Sequence, residues 1–323
     1  MSASEFPEEH PGPARAPREW PSPVQPFRLE RLAEQHCGVV SLVQLLAAGV
    51  PPEAVRARCV SGGPWRQLLP GVVLLGCREP TDDQHSWAAL RFAGGDCPGS
   101  PDPMLTGLSA LARYGVGDAR QRRWPGGPVD ILVPAARPVP DDAGVRVHRA
   151  ARLPRPVVLD GLPCAPALRA ALDAASVPEC RYGAALVRAT AASRWCTPRD
   201  VVEELHTAAP AVRPALLAAV ADDARRMLRA AGVPDPGWEA ELRLDGRELA
   251  VASAYWEGRG VVLWIGSAAD RGARSLAGAG LAVCAAGPGR LAEEPYRVVR
   301  DVLRALRDGP HGPYDRVEIR LRC

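Results

Sequence analysis

Between Cys37 and Gly76 the spacing of apolar residues changes from helical to extended, and the change outlines a small domain. Ser41 opens a short helix, and Gln44 three residues on completes a capping box. Leu42, Leu45 and Leu46 give that helix an apolar face, and Gly49 ends it. Pro51 and Pro52 fit only at or before the first turn of a second helix. That helix runs from Glu53 to Val60 with Val55 and Cys59 inward, and Ser61, Gly62 and Gly63 stop it. The stretch WRQLLPGVVLL then reads as two short strands joined at Pro70-Gly71, a type I or II turn pair. Two short helices, a tight turn and a hairpin form the shape that lays a second helix in a DNA major groove. The same shape also builds protein-binding winged domains. With Val55 and Cys59 inward, Arg56, Ala57 and Val60 face out, Arg58 lies at the boundary and Arg66 opens the wing. Arg56 is the candidate for a base edge, because a guanidinium pairs bidentately with guanine. Arg58 and Arg66 suit phosphates, and Gln44 is a further candidate DNA contact.

The remaining pattern divides the chain further. Residues 1–26 are Pro-rich and poor in apolar positions, and are expected to be a disordered leader. Residues 27–80 form the winged domain, with an amphipathic helix over 28–37 packed on it through Leu29, Leu32 and Ala33. Residues 81–176 form an α+β middle domain: a loop at 93–104, a Thr- or Ser-capped helix over 106–115, strands at 129–133, 145–148 and 157–159, and a helix over 164–175. Residues 177–236 form a helical connector, with helices over 181–193, 198–208 and 212–231. Thr197 and Pro198 are a cap and first-turn pair. Residues 237–323 run strand, strand, helix, strand, helix, with a last alternating run, VEIRL, as an edge strand. The fold class expected is mixed α/β and multidomain.

Composition narrows the function classes. The 323 residues carry 40 basic and 37 acidic side chains, a net charge of +3. Every basic residue is Arg, and Lys and Asn are absent, a GC-rich codon pattern that makes Arg abundance a poor signal for nucleic acid. No apolar run reaches membrane-spanning length and no export signal is visible, so a cytoplasmic protein without membrane contact is expected. The nine Cys form no C-x-x-C pair, which argues for structural thiols rather than zinc or redox chemistry. The His residues make no H-E-x-x-H motif, and His148 has no carboxylate or Ser at a spacing that would serve it. No catalytic residue, metal ligand or cofactor is assigned.

The winged stretch resembles the N-terminal domain of AbiEi-type antitoxins through Gly38, Val39, Val40, Ser41, Gln44, Leu45, Gly49, Val50, Trp65, Leu68, Pro70, Gly71 and Val72. Where such helices often carry three consecutive basic residues, this one reads Arg56-Ala57-Arg58. The middle region is similar to the same family at Ser109, Ala110, Gly115, Val147, His148, Arg149, Pro166 and Asp173. The end of the chain resembles the PD-(D/E)XK nuclease-like domain, with Tyr255-Trp256, Asp270-Arg271, Arg274, Leu276, Gly280 and Val283 in place. Its metal ligands are not: Ser253, Trp264 and Gly266 stand where carboxylates belong, and magnesium needs oxygen ligands. The resemblance implies a regulator that binds double-stranded operator DNA and restrains a nucleotidyltransferase-type toxin, with an inactive nuclease-like tail and a buried Trp264. The alternatives are an active DNA endonuclease and a protein-interaction scaffold.

Overall fold

The computed structural model describes residues 31, 34, 36–94, 102–116, 127–140, 142, 144–208, 210–309 and 317–321. The Pro-rich leader and the inward residues of the 28–37 helix lie outside them. The chain is mixed α/β, with three sheets among the described residues, and it divides into two compact units at Phe92/Ala93.

The first unit contains β1 (Val39–Ser41), α1 (Leu42–Ala47), α2 (Pro52–Arg58), β2 (Arg66–Leu69), β3 (Val72–Leu74) and α3 (Asp82–Phe92). The strands pair antiparallel in the order β1-β3-β2. Ser41 caps α1 through both bonds of the capping box, accepting from Gln44 N at 3.2 Å and donating its own N–H to Gln44 Oε1 at 3.0 Å. Gly71 has φ +74 after Pro70, which selects the type II turn. Val40, Leu45, Val50, Val55 and Val73 form the core on the α1–α2 side. Leu46, assigned to the inward face from its spacing, is exposed instead. Leu45, Ala48 and Val50 already fill that core, so a six-residue helix has no second inward row to offer.

Helix α3 is an element that the apolar pattern does not announce. Thr81 and Gln84 form a second capping box at its start, and Trp87, Ala88 and Phe92 pack on Val39, Val72 and Leu74. It therefore belongs with the first sheet, and the boundary expected at residue 80 moves to Phe92.

The second unit begins with a five-stranded mixed sheet, ordered β6-β5-β4-β8-β7. Its strands are β4 (Met104–Leu105), β5 (Val129–Pro134), β6 (Val145–Ala150), β7 (Val157–Leu159) and β8 (Leu162–Cys164), with helices α4 (Gly107–Tyr114) and α5 (Ala167–Ala175). Strands β5 and β6 are parallel, with Asp130 opposite Arg146 and Leu132 opposite His148. Thr106 precedes α4 but its hydroxyl does not cap it. The hydroxyl donates to Asp173 Oδ2 on α5 at 2.6 Å, deep in the core. Arg169 Nη2 donates to the other oxygen of Asp173, also at 2.6 Å.

Helices α6 (Gly183–Ala191), α7 (Pro198–Thr207) and α8 (Arg213–Ala230) follow. Thr197 and Asp200 make a reciprocal capping box on α7, and Trp195 Nε1 donates to Tyr114 O at 3.0 Å. A second five-stranded sheet, β12-β11-β10-β9-β13, closes the unit. Its elements are β9 (Gly237–Leu244), β10 (Arg247–Trp256), β11 (Val261–Trp264), α9 (Arg271–Gly278), β12 (Ala282–Ala285), α10 (Pro288–Glu293), α11 (Pro295–Asp308) and β13 (Val317–Leu321). Asp245 and Gly246, both at positive φ, turn β9 into β10. Helix α11 buries Val298, Val302 and Leu306 at four-residue spacing.

Asp173→Ala strands the Thr106 hydroxyl and the Arg169 guanidinium. It should cost about 3 kcal/mol, read as a lower urea midpoint with unchanged slope. A loss below about 1 kcal/mol would show that the carboxylate does not tie α5 to the β4–α4 junction.

Candidate nucleic-acid interface

Helix α2 ends at Arg58 rather than at Val60, and the turn that follows keeps the expected sidedness. Val55 is buried, Cys59 is half-buried, and Arg56, Ala57 and Val60 are exposed. Arg56 makes no ion pair or hydrogen bond among the described residues. Arg58 is half-buried because its guanidinium stacks over Trp65, 4.9 Å from the ring centroid. The chain between them folds tightly: Trp65 N donates to Arg58 O at 3.1 Å, and a Cβ on Gly63 would lie 2.3 Å from that same oxygen. Arg66, at the start of the wing, is 38% exposed and pairs with Glu79 at 2.9 Å. That pair is solvent-facing and weak, so Arg66 can exchange it for a phosphate. Gln44 is a different case. Its Oε1 is held by the backbone of Ser41, so as a DNA contact it has only its amide nitrogen to offer.

Behind this surface, His36 packs edge-on against Trp87 with centroids 4.3 Å apart. Arg91 Nη2 lies 2.7 Å from its Nδ1 and 3.0 Å from its Nε2. Burial, and then the Arg91 guanidinium, push the His36 imidazole down from 6.5 to about 4.

In the second unit the structure gives His148 the carboxylate that sequence spacing withheld. Asp130 is buried, and its Oδ1 lies 3.0 Å from His148 Nε2 and 3.4 Å from Arg146 Nη1. The parallel register of β5 and β6 sets Asp130 across from Arg146 and two residues from the partner of His148. Asp130 also packs against Gly107 at φ +54, where a Cβ would sit 2.7 Å from its carboxyl carbon, at the start of α4. Ser109 accepts from Asp130 N at 3.0 Å.

At the positions where the sequence resemblance expects metal ligands, Ser253 Oγ accepts from Ile265 N at 3.0 Å. Trp264 is half-buried rather than buried. It ends β11, so its ring reaches over α9, where a Cβ on Gly272 would meet it at 2.3 Å. Its Nε1 donates to Asp270 Oδ2 at 2.9 Å, and the same oxygen accepts from Ser267 N at 2.9 Å. The indole and the loop N–H thus share one carboxylate oxygen. Among the described residues no three His, Cys, Asp or Glu side chains come together as a metal site, and no helix is long and apolar enough to cross a membrane.

No family model matches the chain, and no curated protein matches it. Among solved structures, the Rv2827c protein from Mycobacterium tuberculosis is similar, at 22% identity over 67% of this chain and 84% of that one, with a TM-score of 0.41. A likeness of that size carries no functional argument.

The depressed His36 value fixes a pH dependence. Its folded pKa is below its unfolded one, so its contribution is present above pH 6.5 and is lost as pH falls toward 4. Thermal melting should drop across that window, and His36→Gln should flatten the part of the drop that carboxylates do not cause. At the other end of the chain, Trp264→Glu removes the indole from Gly272 and sets a second carboxylate beside Asp270. It should cost about 2 kcal/mol. An unchanged melting temperature would mean that the ring contributes no packing.

Proposed function

We propose that the chain is a DNA-binding transcriptional regulator of the AbiEi antitoxin type. The first unit is a winged helix-turn-helix: α1 and α2 are its helices and the β2–β3 hairpin its wing. The observation that carries this reading is Arg56, exposed on the outward face of α2 and without an ion pair among the described residues, with Arg58 fixed on Trp65 and Arg66 at the root of the hairpin. A pre-positioned guanidinium beside a free one suits a phosphate anchor next to a base contact. The partners in this reading are operator DNA and a nucleotidyltransferase-type toxin, and the compartment is the cytoplasm, which suits seven free cysteines among the described residues.

The end of the second unit serves as an inactive nuclease-like scaffold. Ser253 is engaged with the backbone, Trp264 fills a ligand position with an indole, and Asp270 is committed to Trp264 and Ser267. The endonuclease alternative needs two carboxylates at those strand ends. A protein-interaction reading has its own support: Val43, Leu46 and Val60 are 66%, 44% and 57% exposed on α1 and at the end of α2, and apolar exposure of this kind marks docking faces.

Gel shifts on fragments from upstream of the protein's own gene separate these readings. Arg56→Ala should cost about 1–3 kcal/mol on the preferred fragment and little on random DNA. Arg66→Ala should weaken all DNA alike and reduce the salt slope by about one. Binding no stronger than non-specific at low salt would overturn the regulator reading in favour of protein docking. Purified protein should leave DNA intact in magnesium or manganese. Cleavage that survives purification and is lost in Asp270→Ala would restore the endonuclease.

A further inference from the structure

The second unit holds a cleft of about 840 Å³ whose function the DNA-binding reading leaves unassigned. It is lined by the segment from His148 to Arg155, by α5 around Arg169 and Asp173, and by α7 at Glu203 and Glu204. That volume is in the range of sites for small organic ligands.

The charges around it are unevenly satisfied. Asp173 is occupied by Thr106 and Arg169, and Glu203 by Arg199 at 3.1 Å. On the other segment, Arg152 and Arg155 are exposed and make no ion pair or hydrogen bond among the described residues. Arg149 donates to a neutral carbonyl, Arg137 O, at 2.6 Å, and makes no ion pair among the described residues. Three guanidiniums within seven residues line one cleft, and none of them makes an ion pair among the described residues. Pro154 and Pro156 bracket Arg155 and restrict the backbone that carries it. Three uncompensated guanidiniums in a concave site call for a multiply charged anion, and the guanidinium fork matches phosphate oxygens.

The other groups call for hydroxyls. His148 uses Nε2 on Asp130. A carboxylate oxygen only accepts, so Nε2 is the donor to it, and Nδ1, which makes no hydrogen bond among the described residues, is left to meet a ligand hydroxyl. Glu203 and Glu204 add carboxyl oxygens from α7, and burial pushes the Glu204 carboxyl above its usual range. We propose that this cleft binds a small phosphorylated sugar or nucleotide, with Arg149, Arg152 and Arg155 on the phosphate and His148 and the α7 carboxyls toward the sugar hydroxyls. Nucleic acid is the less favoured occupant, because the α7 carboxyl groups share the cleft with the arginines and would repel a continuous phosphate backbone.

Isothermal titration of the full chain with inorganic phosphate, ribose 5-phosphate and ATP tests this. Ribose 5-phosphate and ATP should bind saturably, one per chain, and more tightly than inorganic phosphate. Arg152→Ala/Arg155→Ala should weaken both by about tenfold or more while the melting temperature stays unchanged, since both side chains are exposed. Absence of saturable binding, or equal binding by the double variant, overturns the site. Phosphate binding as tightly as ribose 5-phosphate overturns the sugar-bearing ligand, and displacement of ATP by duplex DNA overturns the small molecule. The outcome is independent of the Arg56 gel shifts, which probe the other unit.

Discussion

Two buried carboxylates organise the beginning of the second unit. A buried Asp costs several kcal/mol unless hydrogen bonds and opposite charges surround it. Asp130 meets that demand with His148, Arg146 and the first turn of α4, whose N–H groups favour a negative charge. Asp173 meets it with Thr106 and Arg169. Each requirement joins elements distant in sequence: β5 to β6 and α4 in one case, α5 to the β4–α4 junction in the other. Gly107 stands between them, because only a residue without Cβ allows Asp130 so close at φ +54. The cleft follows from the same arrangement, since His148 and Arg169, each held by one of these carboxylates, both line it.

What could be read in advance was local. The Ser41–Gln44 box, the Thr197-Pro198 helix start, the Pro70-Gly71 turn and the alternation of β13 are written within a few residues, and the structure has them where the spacing puts them. Thr81 and Gln84 carry the same signal for α3, but the helix that follows is too polar for apolar periodicity to expose it. Thr106 shows the opposite failure: a residue of the right type at a helix start was drawn away by a buried carboxylate 67 positions later. His148 looked unserved because parallel pairing, unlike a hairpin, leaves no local trace of which residues become neighbours.

The candidate site was legible to a similar depth. Helical spacing alone oriented Arg56 outward and Val55 inward. It did not reveal that Trp65 would hold Arg58, because that contact depends on the close turn at Gly63. Nor did it reveal that the Gln44 oxygen, needed by the helix it caps, would be withdrawn from any partner. Residue type placed these side chains on a list of candidates, and only their partners decide which retain the freedom to bind.

The same distinction governs the arginines as a class. Their number reflects composition, and a net charge of +3 is no electrostatic footprint. Many are already spent inside the protein: Arg188 and Arg225 on Asp222, Arg226 on Asp223, Arg290 on Asp301, Arg297 on Glu294. Such pairs cancel at a distance and steer nothing. Charge left uncompensated has reach, and its position decides what it reaches. On the convex face of a short helix, Arg56 can enter a groove. In a concave cleft, Arg149, Arg152 and Arg155 can surround a small anion. Two binding functions in one chain then require no excess of positive charge, only its placement where no acid answers it.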